Sequence, residues 1–193
     1  MATGDCRTAV RYTPGTWLGL VRSGTVVLLG PDTDRALVDS LWRLLAGKPE
    51  IHEVLDAVTS ASGGSLARLP WFGIVGLRGS LQVFLRGGID LEVRPEGDGQ
   101  GAVALSGRDV TTWTERRFAS AAGFSVAIPG ADRAGAAGTA AAQLPLGDGV
   151  VLLQGLHCDL TGLGNAGAVT GAAAADAAVD EQLLAAAEAD IAS

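Results

Sequence analysis

The sequence predicts an α+β fold, in which two adjacent amphipathic helices pack on one side of a mostly antiparallel sheet of about nine or ten strands. Strand-like and helix-like segments are segregated along the chain, which is typical of antiparallel sheets. Hydrophobic residues make up 48% of the 193 residues, enough for a sizeable core. Aromatic residues make up only 5%, so that core must be mainly aliphatic.

The first segments have the pattern of β-strands. Residues 8–12 alternate between apolar and polar side chains, and a turn is expected at Thr13-Pro14-Gly15. The runs 16–22 and 25–29 flank Ser23-Gly24, and a two-residue connection that ends in glycine is typical of a hairpin. Three strands are therefore expected before the first helix.

Two helices follow. Leucine and valine recur at the spacing of one helix face over residues 34–46, and Asp32 or Thr33 is the expected N-cap. Gly47 should end this helix, and Pro49 should start a second one over 50–61.

The pattern changes back to strands at Pro70. Residues 71–77, 80–86 and 88–94 read as adjacent antiparallel strands with one solvent-exposed face, and the alternation that indicates this face lies in 80–86 and 88–94. Further strands are expected at 102–105, within 107–118, at 124–128 and at 149–156.

Charge divides the chain into two parts. All 14 Lys and Arg residues lie within 1–133, together with as many acidic residues, so the net charge of −7 comes entirely from the C-terminal end. We expect one α+β domain over 1–158, followed over 159–193 by a Gly/Ala-rich acidic linker and a marginal helix. A neutral body with an acidic end argues against binding of nucleic acid or insertion into a membrane.

The location predicted from the sequence is cytoplasmic. No signal peptide and no long apolar segment is apparent. Cys6 and Cys158 could form one disulfide, but two cysteines make no disulfide framework, and reduced thiols are expected.

The residues that could carry chemistry do not form a familiar catalytic set. His157 and Cys158 are neighbours on a strand and should point to opposite faces, which prevents them from sharing a metal ion. His52 is expected on a solvated helix face, and the carboxylates Asp32, Asp34 and Asp39 are interpreted as helix capping. No nucleotide-binding or nucleophile-elbow motif is present. We therefore predict no catalytic, cofactor-binding or metal site, and no enzymatic activity.

The most distinctive stretch is GRDVTTWTERRF, residues 107–118. On a strand, Thr112, Thr114 and Arg116 would face one way, and Trp113, Glu115 and Arg117 the other. Trp113 could pack against the helices, or lie on the exposed face with Arg117 stacked over it. The predicted interaction surface consists of Thr112, Trp113, Thr114, Glu115 and Arg117, with Arg78 and Arg86 nearby.

Four stretches carry a resemblance to a known family: RYTPGTWLGLV, VVLLGPDTDRALVDSLW, LPWFGIVGLRGSLQVFLRGGIDLEV and GRDVTTWTER. Together, over residues 8–156, they resemble the N-terminal region of actinobacterial proteins that carry a forkhead-associated (FHA) domain further along the chain. In that family the FHA module binds phosphothreonine through a Gly-Arg, a Ser-x-x-His and an Asn-Gly. This sequence has Gly107-Arg108 but neither later motif after it, so the resemblance implies the partner region without the phosphothreonine reader.

A second resemblance is narrower. Residues 72–93 are similar to a hairpin of metal-dependent protein phosphatases, with Gly87-Gly88-Ile89-Asp90 in place of that family's Gly-Asp-Ser-Arg turn. The acidic metal ligands of the family have no match here, so a related fold would have lost catalysis.

Three functions are open at this point. The preferred one is a non-enzymatic protein-interaction or scaffold domain in bacterial phospho-signalling or envelope regulation, and it needs no cofactor. Its expected partner is an unidentified protein, for which a component of Ser/Thr kinase signalling is one candidate. The alternatives are a degenerate hydrolase of phosphatase-like architecture, with Asp90 in its site, and a self-assembling homo-oligomer that pairs strands such as 149–156.

Overall fold

The computed structural model describes residues 9–61, 63, 69–97, 101–128 and 143–160. The predicted acidic linker and C-terminal helix, from residue 161 onward, lie outside the described residues. So does Cys6.

The described residues form ten strands and two helices. In chain order they are β1 (Ala9–Arg22), β2 (Thr25–Leu29), α1 (Arg35–Ala46), α2 (Ile51–Ser60), β3 (Phe72–Gly76), β4 (Leu81–Arg86), β5 (Asp90–Arg94), β6 (Val103–Ser106), β7 (Thr114–Phe118), β8 (Gly123–Ala127), β9 (Leu144–Leu146) and β10 (Gly149–Asp159).

The strands form one sheet that curls into a nearly closed barrel. Its order is β6-β5-β8-β10-β1-β2-β3-β4-β7, with β9 paired to β1, and the pairings are antiparallel. Strands account for 49% and helices for 17% of the structure, so the predicted α+β class is wrong. The order of elements along the chain could not show the closure, because it depends on the pairing of the first described strand, β1, with the last one, β10.

Strand β1 is a single long strand where the sequence predicted two strands and a turn. Thr13-Pro14 is the start of an irregularity in the pairing of β1 with β10. At Gly15 a Cβ would overlap the backbone around Gln154, so glycine is what allows the two strands to approach there. The proline interrupts the ladder without ending the strand, as expected at a bulge.

The two end strands of the nearly closed barrel, β6 and β7, meet at a seam. The Thr114 hydroxyl on β7 donates to the Ser106 carbonyl at 2.7 Å. Gly107, which follows β6, accepts from the Gly87 amide at 2.6 Å and donates to the Ile89 carbonyl at 3.0 Å. A Cβ at Gly107 would lie 2.7 Å from the backbone nitrogen of Arg86, so only glycine allows this approach.

Two hydrophobic cores lie on opposite sides of the sheet. The barrel interior is filled by inward-facing side chains that include Leu28, Val83, Leu91 and Phe124. The second core lies between the outer face of the sheet and the two helices. It contains Leu20, Val27, Phe72, Ile74 and Phe84 from the strands and Leu41, Leu45, Val54 and Val58 from the helices.

The helix bounds differ slightly from the predicted ones. The N-cap of α1 is Asp34, whose side chain accepts from the Ala36 amide at 2.9 Å, and neither Asp32 nor Thr33 takes this role. Helix α2 starts after a capping box formed by Glu50 and Glu53, with Pro49 just outside it. Neither described helix is long and apolar enough to cross a membrane.

Candidate functional site

Trp71 is the most exposed large hydrophobic residue of the described chain. It directly precedes β3, and 57% of its surface is exposed. Its ring is stacked on that of Trp17, which is buried, with 6.3 Å between the centroids and 24° between the planes. The ring therefore packs on the buried Trp17 and still presents apolar aromatic surface to the solvent.

Two glycines hold the Trp71 ring in place. It lies so close to Gly87 that a Cβ there would overlap it, and a Cβ on Gly88 would lie 3.4 Å from the ring. Gly87 also has a φ of 84°, a conformation that favours glycine. Contacts with Trp17 and this glycine pair therefore fix the orientation of an exposed aromatic ring.

Trp71 separates two clefts. The first, which we call the acidic-rim cleft, has a volume of about 860 Å³ and lies between Trp71, Trp17 and the segment from Gly30 to Asp34. The second, which we call the seam cleft, has a volume of about 450 Å³ and is lined by Trp71, Arg86 and the segment from Gly107 to Val110. Volumes of a few hundred cubic ångströms are typical of ligand pockets.

A charged network shapes the seam cleft. Asp90 accepts from Arg108 at 2.9 Å through one carboxylate oxygen and from the Ser106 hydroxyl at 2.9 Å through the other. Asp109 has a φ of 56°, a left-handed conformation that aspartate tolerates better than most residues. The Asp90 carboxylate, which the phosphatase resemblance placed in a site, is thus bonded to the loop that closes the barrel.

The rim of the first cleft carries two carboxylates. Asp32 and Asp34 line it at the start of α1, and both side chains are exposed. The remaining lining is largely apolar and includes Leu37, Ala57 and Pro70. This arrangement offers an aromatic wall, apolar surface and negative charge to one ligand group.

The predicted interaction surface does not line the seam cleft. It consists of Thr112, Trp113, Thr114, Glu115 and Arg117. Trp113 precedes β7, is half-buried and packs against the helix-side core, with its ring centroid 6.4 Å from that of Phe72. Of the two placements open for Trp113, the structure has the one in which it packs toward the helices. Glu115 and Arg117 are exposed, and the Arg117 Nε donates to the Ser80 hydroxyl at 3.0 Å.

Arg86 connects the two regions. It lines the seam cleft, and its guanidinium donates to the carbonyls of Thr111 at 2.6 Å and Thr112 at 2.5 Å. Arg78 lies elsewhere and donates to the Lys48 carbonyl at 2.6 Å. The stretch 107–118 therefore begins as a wall of the seam cleft and ends as a charged edge strand.

His157 and Cys158 lie on opposite faces of β10, as strand alternation predicts. The Cys158 thiol is free and buried in the barrel interior, where desolvation, with a contribution from Asp159, raises its pKa to about 12. On the outer face Asp159 accepts from Arg94 at 2.7 Å, and this hydrogen bond lowers the pKa of the Asp159 carboxyl.

Ser125 lies opposite His157 on that outer face, so a serine, a histidine and an aspartate share one surface. Asp159 lies 3.4 Å from the Nε2 of His157, and Arg94 lies 3.4 Å from the same nitrogen. No hydrogen bond joins Ser125 to His157 in the described part of the chain. Within the same residues, no group of three or more His, Cys, Asp or Glu side chains is placed to hold a metal ion.

Sequence reasoning missed Trp71. It assigned this residue to a strand and treated Gly87-Gly88 only as a turn. A signal was present: a tryptophan follows proline directly before an apolar strand, and two glycines follow the neighbouring strand. Only strand pairing, which sets Phe72 opposite Arg86, brings Trp71 beside those glycines.

No family model, curated protein or solved structure matches this chain. The resemblance to FHA-associated proteins therefore stays a prediction.

Proposed function

We propose that this chain is a non-enzymatic protein-interaction domain that binds a segment of a partner protein across Trp71. The observation that carries the proposal is the exposed Trp71 ring, held between Trp17 and the Gly87-Gly88 pair and flanked by a cleft on each side.

Tryptophan dominates binding energy at many protein interfaces, because burying its large ring removes much apolar surface from water. A ring already fixed before binding loses little conformational entropy when the partner arrives. The clefts on either side can each take a side chain of an extended segment. These features suit peptide recognition better than they suit catalysis, because the described residues that line the two clefts include no familiar catalytic set.

We place this function in the cytoplasm, in bacterial phospho-signalling or envelope regulation. The support for this placement is the resemblance of residues 8–156 to the N-terminal region of FHA-domain-containing proteins. The same holds for a component of Ser/Thr kinase signalling as the partner. The predicted surface from Thr112 to Arg117 could extend the binding site, since Arg86 joins the seam cleft to Thr112.

The test is affinity capture from a native lysate, followed by titration of each recovered protein in purified form. Trp71→Ala should abolish binding and cost about 1 kcal/mol or less of stability, because the side chain is largely exposed. Trp42→Ala is the matched control. Trp42 stacks under Arg22 at 4.2 Å and lines neither cleft, so its loss should leave binding intact.

The Trp113→Ala variant distinguishes binding at Trp71 from binding at β7. Loss of Trp113 should lower stability by about 2 kcal/mol, since the half-buried ring packs against Phe72. A partner that binds Trp71→Ala as well as wild type would contradict the proposal. If that partner is lost with a folded Trp113→Ala, the site belongs at β7 instead.

Self-assembly is a second candidate, and exposed apolar side chains on β10 favour it. Val150 is 43% and Leu152 is 55% exposed, and within the described residues only β1 pairs with this part of the strand. An unpaired edge is a template for another strand. Capture experiments that return only the chain itself, as an oligomer that Leu152→Lys converts to a monomer, would support this candidate.

A further inference from the structure

We infer that the acidic-rim cleft receives a basic side chain, Lys or Arg, of the bound segment, with its cation against Trp71 and beside the carboxylates of Asp32 and Asp34. This inference rests on the proposed function and specifies the chemistry of the partner.

The charge of the cleft is negative. Asp32 and Asp34 line it, no Lys or Arg does so among the described residues, and neither aspartate forms an ion pair there. Arg35 follows Asp34 in sequence but is not part of the lining. The start of α1 contributes roughly half a positive charge, which two carboxylates outweigh.

The apolar lining suits the rest of such a side chain. Lys and Arg carry a hydrocarbon stem that packs on apolar surface while the charged end stays near water. Leu37, Ala57 and Pro70 supply that surface, and the cleft is open enough to keep the charged end hydrated. A cation over the face of tryptophan is the strongest of the cation–π pairs with natural side chains.

The seam cleft does not share this negative charge. Its charged residues include Arg86 and Arg108, with Asp109 on the same loop, and Arg108 is paired with Asp90 at 2.9 Å. A basic side chain would meet two guanidinium groups there. The pair of clefts therefore orients the bound segment, with its basic residue on the α1 side of Trp71.

The experiment is selection of random 12-residue peptides displayed on phage against the full chain. Peptides selected by wild type should be enriched in Lys or Arg, and they should lose binding to Trp71→Ala. For a selected peptide made synthetically, Asp32→Asn should weaken binding about fivefold, and added salt should weaken it further. Asp34→Asn should act in the same direction while keeping the helix cap, because asparagine caps as well as aspartate.

Asp39→Asn is the control, since Asp39 is an exposed carboxylate of α1 that does not line the cleft. The inference would be overturned if the peptides that need Trp71 contained no basic residues, or if Asp39→Asn weakened peptide binding as much as Asp32→Asn does. Either result would leave the proposed function standing. Selected peptides that do not need Trp71, or the failure to select any, would overturn both.

Discussion

The outer surface of the barrel has two halves that differ in what covers them. In the covered half, formed by β2, β3 and β4, the outward side chains Val27, Ile74 and Phe84 are buried beneath the helices. In the open half, formed by β10, β8, β5 and β6, the outward positions carry His157, Ser125 and Glu92. The inward positions are apolar in both halves.

This difference shows how a strand's sequence depends on its surroundings. A strand buried on both faces is a continuous apolar run, as in TVVLL of β2, whereas a strand with one wet face alternates, as in DLEVR of β5. The prediction of one exposed face is right for β5 and wrong for β4, where Phe84 points into the helix-side core. Helix coverage thus decides which strands can carry polar side chains on their outer face.

The largest expected effect comes from truncating the covered half. Ile74→Ala should lower the free energy of unfolding by about 2–5 kcal/mol, because it leaves a cavity beneath the helices. Leu91→Ala, which faces the barrel interior in the open half, should cost about as much, since the inner face is buried everywhere.

Glu92→Ala, the outward neighbour of Leu91, should change stability by less than about 0.5 kcal/mol. Urea unfolding of the three variants measures the comparison. A loss with Glu92→Ala as large as that with Ile74→Ala would mean that the open half is covered too.

A smaller effect is expected at the end of the barrel that holds the Trp71 site. Gly79 and Gly87 both have positive φ, 72° and 84°, so alanine strains the backbone at either by about 1 kcal/mol. Only at Gly87 would the new methyl also overlap Trp71, since nothing lies within 4 Å of a Cβ at Gly79. Gly87→Ala should therefore be the less stable of the two and should displace the Trp71 ring.

Fluorescence-monitored urea unfolding reports stability, and peptide titration reports the state of the site. Equal stability and equal binding of Gly79→Ala and Gly87→Ala would show that Gly87 does not position Trp71.

The smallest effect concerns the ion pair of the open half. The hydrogen bond from Arg94 lowers the pKa of Asp159 in the folded chain, so this pair stabilises the fold above the ordinary carboxyl pKa. That contribution is lost as the pH falls through the lowered pKa. Asp159→Asn should therefore reduce stability slightly at neutral pH and not at strongly acidic pH, in unfolding curves measured across that range. If Asp159→Asn lowered the stability by the same amount at every pH, the effect would come from packing and not from the ion pair.

The sequence predicted the local elements of the fold. The runs around Ser23-Gly24 predicted the β1–β2 hairpin, and the leucine spacing predicted α1 to within one residue of its start. Hairpins and amphipathic helices depend on neighbours a few residues away, and those are visible in any window of sequence. The short strand β9 was missed because its three residues carry no periodicity.

Which tryptophan is exposed was harder to predict. The composition of the stretch around Trp113 predicted a surface there. The Trp113 ring is half-buried against Phe72, and the more exposed ring belongs to Trp71. Composition tells which residues can form a surface, but exposure depends on what the fold places over each of them.

The sequence by itself determined the aliphatic core, the two amphipathic helices and the opposite orientation of His157 and Cys158, because each follows from local periodicity. The tertiary structure alone decided that the sheet closes, that β10 lies between β1 and β8, and that Trp71 rests on Gly87 between two clefts. Those features depend on pairing between residues distant in sequence, and pairing of that kind leaves no pattern within any one segment.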